Sequence, residues 1–192
     1  MKKRVAILIS GHGTNMEAII KNSQNGILKD HCEVILVLSN KKKAKGLKIA
    51  KSYGIETTCI ISKGKKRKKF DIELINFLEK YKLDYIVLAG FMRILSSEFI
   101  KTYKNRIINI HPADTDKFKG LGAYEWAYEN KLDSTAITVH FVDSGVDTGK
   151  VIGKRKVNLQ KADTLVKVKE QGLKVEHKFY SEMLKKVFEK NS

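Results

Sequence analysis

The chain predicts an α/β fold, a mostly parallel twisted sheet with helices on both faces. Short, continuously apolar runs alternate with segments of helical spacing along its length, and a run apolar at every residue suits a strand covered on both sides. A glycine-rich turn, Ser10-Gly11-His12-Gly13-Thr14-Asn15, stands between the first such run and the first helical segment. With 192 residues and 42% apolar side chains, the chain can bury a sizeable core.

Each element has its own reason. Residues 5–10 form an apolar run that ends on the turn, and 15–21 open a helix with Met16, Ile19 and Ile20 on one face. Residues 33–39 read as a second strand, 44–52 as a helix and 56–61 as a third, shorter strand. Over 70–81, Phe70, Leu74, Phe77, Leu78 and Tyr81 recur at helical spacing. Residues 85–89 are apolar throughout and are closed by Gly90; a helix over 97–103 leads into a strand at 106–110. Beyond a loop, 122–130 is helical, 135–142 alternates as a strand does, and 151–158 returns antiparallel to it. A long helix over 163–189 closes the pattern. No internal repeat or low-complexity linker interrupts it, which predicts one domain over 1–192. Ligands of such sheets bind beyond the carboxyl ends of the strands, where Gly11, Gly90, His111 and Asp143 are expected.

Charge and cysteines narrow the function classes. Thirty-eight basic against 21 acidic residues give a formal charge of +17, with one dense run at Lys65-Lys66-Arg67-Lys68-Lys69. The other basic residues are scattered and do not interleave with aromatic platforms, so most of the excess is expected to be solvated surface. No specific nucleic-acid partner is expected, although a basic nucleic-acid-binding protein is the alternative that this charge supports. The longest apolar or aromatic stretch, 85–92, is eight residues, too short for a bilayer span. Met1-Lys2-Lys3-Arg4 and the following apolar run imitate a signal peptide, but the helix after the turn needs that run as its strand. A cytoplasmic location is expected, with no membrane partner. Cys32 and Cys59 match no metal or dithiol spacing and read as reduced core residues.

Three polar residues carry the chemistry. Asn109 and His111, in Asn109-Ile110-His111-Pro112, leave the same face of an extended strand, and Asp147 precedes Thr148-Gly149. An amide can donate to a developing oxyanion, an imidazole can exchange a proton near neutral pH, and a carboxylate can orient it. That set suits moving an acyl group onto an amine. A zinc site built from His111, His140 and Asp147 is disfavoured, because no short-spaced ligand pair exists and His140 lies inside an alternating strand. No metal is expected. The turn at residues 10–15 offers free backbone N–H groups at a helix start, with Thr14 and Asn15 as further donors or a cap. It suits a phosphorylated small molecule, with a bare capping turn and a dinucleotide as the other readings. Met16 occupies the place of a dinucleotide fingerprint's third glycine.

Over 5–184 the sequence resembles the phosphoribosylglycinamide formyltransferases, folate-dependent enzymes of purine synthesis whose domain is similar to those of methionyl-tRNA and nucleotide-sugar formyltransferases. The resemblance rests on the residues 10–15 turn, on Ser39-Asn40, and on Val87-Leu88-Ala89-Gly90-Phe91-Met92-Arg93-Ile94-Leu95-Ser96. It continues through Asn109-Ile110-His111-Pro112, Val139-His140-Phe141-Val142, Asp147-Thr148-Gly149 and Val175-Glu176-His177 with Tyr180. It implies a formyltransferase-type, Rossmann-like fold, with Asn109, His111 and Asp147 as catalytic residues. Gly11, Gly13, Thr14, Asn15 and Glu176 would hold the ribose-phosphate side of the substrate. Phe91, Met92, Arg93, Ile94, Leu95, Val142 and Asp143 would hold the 10-formyltetrahydrofolate cosubstrate, and Arg67, shortly before Phe70-Asp71, would reach its glutamate tail. The implied partners are a phosphorylated small-molecule amine and a reduced folate, acting on a monomer or weak homodimer.

Two departures stand out. The family pattern after His-Pro is Ser-Leu-Leu-Pro and then Pro-Gly, whereas this chain has Ala113-Asp114-Thr115-Asp116 and Lys119-Gly120. Asp114 and Asp116 are expected to pair with Lys117 and Lys119 and hold the loop. The alternatives are contact with the acceptor, or a different amine such as an amino-sugar nucleotide. The closing helix also has Leu173 where a polar residue usually stands three positions before the Glu.

Overall fold

The computed structural model describes residues 1–190. In β1 (Lys3–Ile9) every side chain from Val5 onward is buried, because successive residues point to two covered faces. The chain continues through α1 (Thr14–Asn25), β2 (Cys32–Ser39), α2 (Lys45–Ser52), β3 (Glu56–Cys59), α3 (Arg67–Leu78) and β4 (Tyr85–Leu88). It then forms α4 (Ser97–Thr102), β5 (Ile107–His111), α5 (Ala123–Glu129), β6 (Ser134–Phe141), β7 (Val151–Asn158) and α6 (Leu165–Lys190). Every expected strand and helix is present, with shifted ends. The helix expected over 70–81 starts earlier, at Arg67, and tightens into a 3-10 turn at Glu79–Tyr81 before Lys82 takes a left-handed conformation, φ 48°.

One seven-stranded sheet runs in the order β3-β2-β1-β4-β5-β6-β7. Strands β1 to β5 are parallel to their neighbours, whereas β6 is antiparallel to β5, and β7 to β6. The reversal at β6 changes how one expectation is met. Thr138 lies opposite His111 and Phe141 opposite Ile108. Antiparallel neighbours end at opposite edges of a sheet, so β6 itself runs away from the edge that holds Gly11, Gly90 and His111, and the loop after it places Asp143 in the same cleft as Gly90 and His111. The 142–150 loop has to turn back to reach that edge.

Strand alternation divides the core in two. Tyr85 and Val87 of β4 pack on one face with Ile7, Met16, Ile20, Phe179 and Leu184, beneath α1 and α6. Ile86 and Leu88 pack on the other with Leu8, Leu36, Phe70, Leu74 and Phe99, beneath α3 and α4. Burying a side chain such as Phe70 completely contributes about 1.5–3 kcal/mol. Among the described residues no helix is long and apolar enough to cross a membrane.

Tyr180 ties α6 to the centre of the sheet. It is fully buried, and its hydroxyl lies 3.0 Å from both the Leu88 carbonyl oxygen at the end of β4 and the Ile108 carbonyl oxygen near the start of β5. Burial pushes its pKa well above the usual tyrosine value, so the hydroxyl stays a donor. Tyr180→Phe is expected to lower stability by about 1–3 kcal/mol in urea denaturation, since buried carbonyls lose their donor. A loss below about 0.5 kcal/mol would mean those carbonyls keep adequate partners without it.

Candidate active site

Asn109 and His111 are two residues apart on β5 and their side chains do leave one face. Both meet Asp147, which the return loop carries to them: His111 Nδ1 lies 3.2 Å from Asp147 Oδ2, and Asn109 Nδ2 lies 3.4 Å from Asp147 Oδ1. His140 on β6, paired in register with Asn109, also reaches Asp147 Oδ1 at 3.4 Å through Nε2. The Gly120 amide donates to Asp147 Oδ2 at 2.9 Å. Asp147 holds a left-handed backbone, φ 52°, a conformation that Asp tolerates better than most side chains.

The electrostatics of the trio are set by burial. His111 is 4% exposed. Burial lowers its pKa, and the Asp147 charge and the Phe118 carbonyl offset this only in part. Taken alone, the Asp147 charge raises the His111 pKa, but desolvation outweighs it. Burial pushes Asp147 up, yet donation from His140 and from Gly120, with the attraction of both imidazoles, leaves it below the ordinary carboxylate value. His111 Nε2 lies 3.1 Å from the Phe118 carbonyl oxygen, so the ring has an acceptor at each nitrogen. A neutral imidazole has one N–H for these two acceptors. A proton gained during a reaction satisfies both.

A pH dependence follows with a definite sign. Below the ordinary histidine pKa of 6.5, the unfolded chain protonates His111 before the folded chain does. Stability therefore falls as pH drops from 6.5 through the lower folded value. His111→Asn should flatten this part of the stability–pH profile, measured by thermal unfolding between pH 7 and 5. An unchanged slope would remove His111 as its source.

The trio forms the floor of a cleft of about 540 Å³. Phe91, Met92, Arg93, Ile94, Leu95, Val142 and Asp143 all line it. Its rim carries apolar side chains left in solvent, with Leu121 79% exposed and Met92 and Ile94 about half exposed. Exposed apolar groups around a concavity are typical of a site for a flat, largely apolar ligand. Arg93 places its guanidinium over the Phe70 ring at 4.7 Å and donates to the Lys65 carbonyl oxygen at 3.3 Å. This anchors the basic run to the cleft wall. Within the run, Lys65 pairs with Glu73 and Lys68 with Glu98. Arg67 is exposed at the start of α3 and does not line the cleft.

The glycine-rich turn stands apart from this floor. Gly13 is the N-cap of α1 in a left-handed conformation, φ 80°, which glycine adopts without steric cost. No side chain caps the helix, so Thr14 and Asn15 do not play the expected capping part. Thr14 is exposed, whereas Asn15 is buried and donates from Nδ2 to Glu176 Oε2 at 2.5 Å. Gly11 and Gly13 lie beside α2, where the Gly46 amide donates to the Gly11 carbonyl oxygen. Ser10, Asn40 and Ser62 form a hydrogen-bonded chain across the ends of β1 to β3, and Ser10 Oγ also accepts from the Met92 amide. Through this contact the turn is tied to the cleft wall.

Comparison with known proteins agrees with this geometry. A family model described as formyl transferase matches residues 3–184. The chain belongs to the formyl transferase family. It is 38% identical over 187 residues to a human protein named trifunctional purine biosynthetic protein adenosine-3, covering 97% of this chain but 18% of that one. It thus spans about a fifth of that relative. It is 41% identical over 161 residues to the phosphoribosylglycinamide formyltransferase of Escherichia coli, covering 83% of this chain and 75% of the relative. The crystal structure of phosphoribosylglycinamide formyltransferase from Bacillus halodurans superposes with a TM-score of 0.92 at 37% identity, covering 99% of this chain and 97% of that one.

In this family member the acidic loop after Pro112 has a structural partner other than the expected one. Lys154 of β7, not Lys117 or Lys119, bridges Asp114 and Asp116 at 2.5 and 2.6 Å. An antiparallel β7 brings that lysine beside the loop, a neighbour that sequence spacing does not reveal. Asp114 also accepts from the Asp116 amide at 3.1 Å, and its carbonyl accepts from the Lys117 and Phe118 amides. Neither acid lines the cleft. Asp114→Ser is expected to lower stability by about 0.2–1 kcal/mol, the range for exposed ion pairs, without changing the Michaelis constant of the amine acceptor. A raised Michaelis constant would return Asp114 to the substrate.

Two residues at this candidate site, His140 and Tyr124, are not among the catalytic or binding residues that the sequence predicts. In sequence His140 belongs to an alternating strand and to a disfavoured zinc set; the signal for its place here is the antiparallel register, which sets it opposite Asn109. Tyr124, near the start of α5, lines the cleft and donates from its hydroxyl to Glu176 Oε1. Nothing in its local sequence marks it.

Proposed function

We propose that this chain transfers the formyl group of 10-formyltetrahydrofolate to the amine of phosphoribosylglycinamide in de novo purine synthesis, acting as a single formyltransferase domain. The observation that carries the reading is the Asn109–His111–Asp147 cluster, part-buried around a buried His111, on the floor of a cleft with an apolar rim. The cleft residues fit the cosubstrate: a flat heterocycle finds apolar walls at Phe91, Ile94, Leu95 and Val142. The names of the Escherichia coli and Bacillus halodurans relatives favour the same acceptor.

In this mechanism the uncharged amine attacks the formyl carbon, forming a C–N bond and turning the carbonyl oxygen into an oxyanion. The Asn109 amide contacts only partners at 3.4 Å, so it gives up little when it turns to the oxyanion. His111, held by Asp147 at one nitrogen, takes up charge as the proton leaves the attacking nitrogen. That proton passes to the folate nitrogen as its bond to carbon breaks, directly or through water. The products are the formamide and tetrahydrofolate. A panel of amines with 10-formyltetrahydrofolate, scored for tetrahydrofolate released and product formed, tests the assignment. Formylation of an amino-sugar nucleotide with no turnover of phosphoribosylglycinamide would overturn the acceptor.

The phosphate is assigned to the backbone donors of Gly13 to Asn15 together with the exposed Thr14 hydroxyl at the start of α1. Thr14→Ala with Asn15→Ala is expected to raise the acceptor's Michaelis constant at least about tenfold, the scale of one charge-assisted hydrogen bond. The folate constant should move less than threefold. Equal effects on both would detach the turn from the phosphate.

A further inference from the structure

We infer that Tyr124 is a positioning residue for Glu176, aiming that carboxylate at the sugar hydroxyls of the acceptor. The inference rests on the acceptor reading above and adds a specificity element to it. Glu176 is 5% exposed and lies on α6 between two donors from different elements. Asn15 Nδ2 of α1 takes Oε2 at 2.5 Å, and the Tyr124 hydroxyl of α5 takes Oε1. A buried carboxylate held by one donor at each oxygen has a fixed orientation, while its remaining lone pairs are free for a ligand.

Four further observations give Tyr124 and its partners this part. Burial, with the Glu176 charge beside it, raises its pKa far above the usual tyrosine value, so the hydroxyl always donates. Its seat is made by Gly172, one turn before Glu176. A Cβ there would run into the Tyr124 ring and hydroxyl, so the ring rests directly against the α6 backbone. Leu173, three positions before Glu176, offers no polar atom, which leaves the polar support of the carboxylate to other elements. Asn15 Oδ1, the other end of the amide that holds Glu176, is buried without a partner. A buried amide oxygen left bare is an acceptor waiting for a donor, and a sugar hydroxyl supplies one. The Asn15–Glu176–Tyr124 chain therefore runs from the glycine-rich turn to the cleft. This is the path a ribose spans if its phosphate is at the turn and its amine at His111.

The test uses the intact chain and Tyr124→Phe, which removes one oxygen atom and keeps the ring. The Michaelis constant for phosphoribosylglycinamide should rise about tenfold, the scale of a lost hydrogen bond to a charged group. The turnover number and the folate constant should stay within about twofold. With an acceptor analogue lacking the sugar hydroxyls, parent and variant should have the same Michaelis constant, an equality that a merely structural role would not predict. Gly172→Ala, which displaces the ring, should raise the same constant. An unmoved acceptor constant in Tyr124→Phe, or equal rises for both substrates, overturns this inference alone. A parent chain that leaves phosphoribosylglycinamide unformylated overturns the acceptor reading and this inference with it.

Discussion

Asn109→Ala should lower the turnover number at least about 100-fold while folate binding stays within threefold; removal of an oxyanion donor commonly costs about 2.7–4 kcal/mol in the transition state. Asn109 is on the last turn of pleat before the strand ends, with its amide 3.4 Å from both Asp147 and His140. Contacts of that length are weak, so the resting site makes little use of the donor. Its full strength is realised only when charge develops on the formyl oxygen, and such an interaction acts on turnover rather than on binding. Substrate affinity measured by titration and turnover measured under saturation separate the two. A variant within threefold of the parent in turnover would take Asn109 out of this role.

Asp147→Asn should be as severe, about 100-fold or more in turnover, or roughly 2.7 kcal/mol in barrier height. Asn is the informative replacement because it also tolerates the left-handed backbone at this position. The substitution therefore removes a charge with little backbone strain. Burial already depresses the His111 pKa, and the Asp147 charge is the largest influence opposing it. Without that charge the imidazolium becomes harder to form. The acid limb of the turnover–pH profile should then move to lower pH, because His111 stays neutral further into acid. Movement to higher pH would contradict the balance of burial against charge described for His111.

The fold was readable because its strands are apolar on both faces and its helices are apolar on one, so period alone separated them. Asn109 and His111 were readable as a pair because two residues along an extended strand point the same way. Asp147 followed from its motif. What local sequence does not carry is the order and direction of strands. The reversal at β6 made the loop with Asp143 and Asp147 fold back to the cleft, and set His140 against Asn109. It also brought Lys154 of β7 to Asp114 and Asp116 in place of the nearby Lys117 and Lys119. The part of Tyr124 depended on Gly172, some fifty positions away, being too small to exclude its ring. Such pairings are set by tertiary packing.

The reversed β6 also bears on the order in which the protein becomes competent. β6 and β7 are joined by a single loop and pair antiparallel, a local hairpin of the kind that forms within about 1–10 μs. Asp147 lies in that connecting loop, whereas Asn109 and His111 belong to the parallel part of the sheet, whose pairings close long stretches of chain and form slowly. The reacting groups thus come from a local hairpin and from a long-range parallel pairing, so activity is expected only once the hairpin has docked along β5. During refolding from urea, recovery of formyl transfer should lag behind the far-ultraviolet signal of secondary structure and coincide with the last tertiary phase.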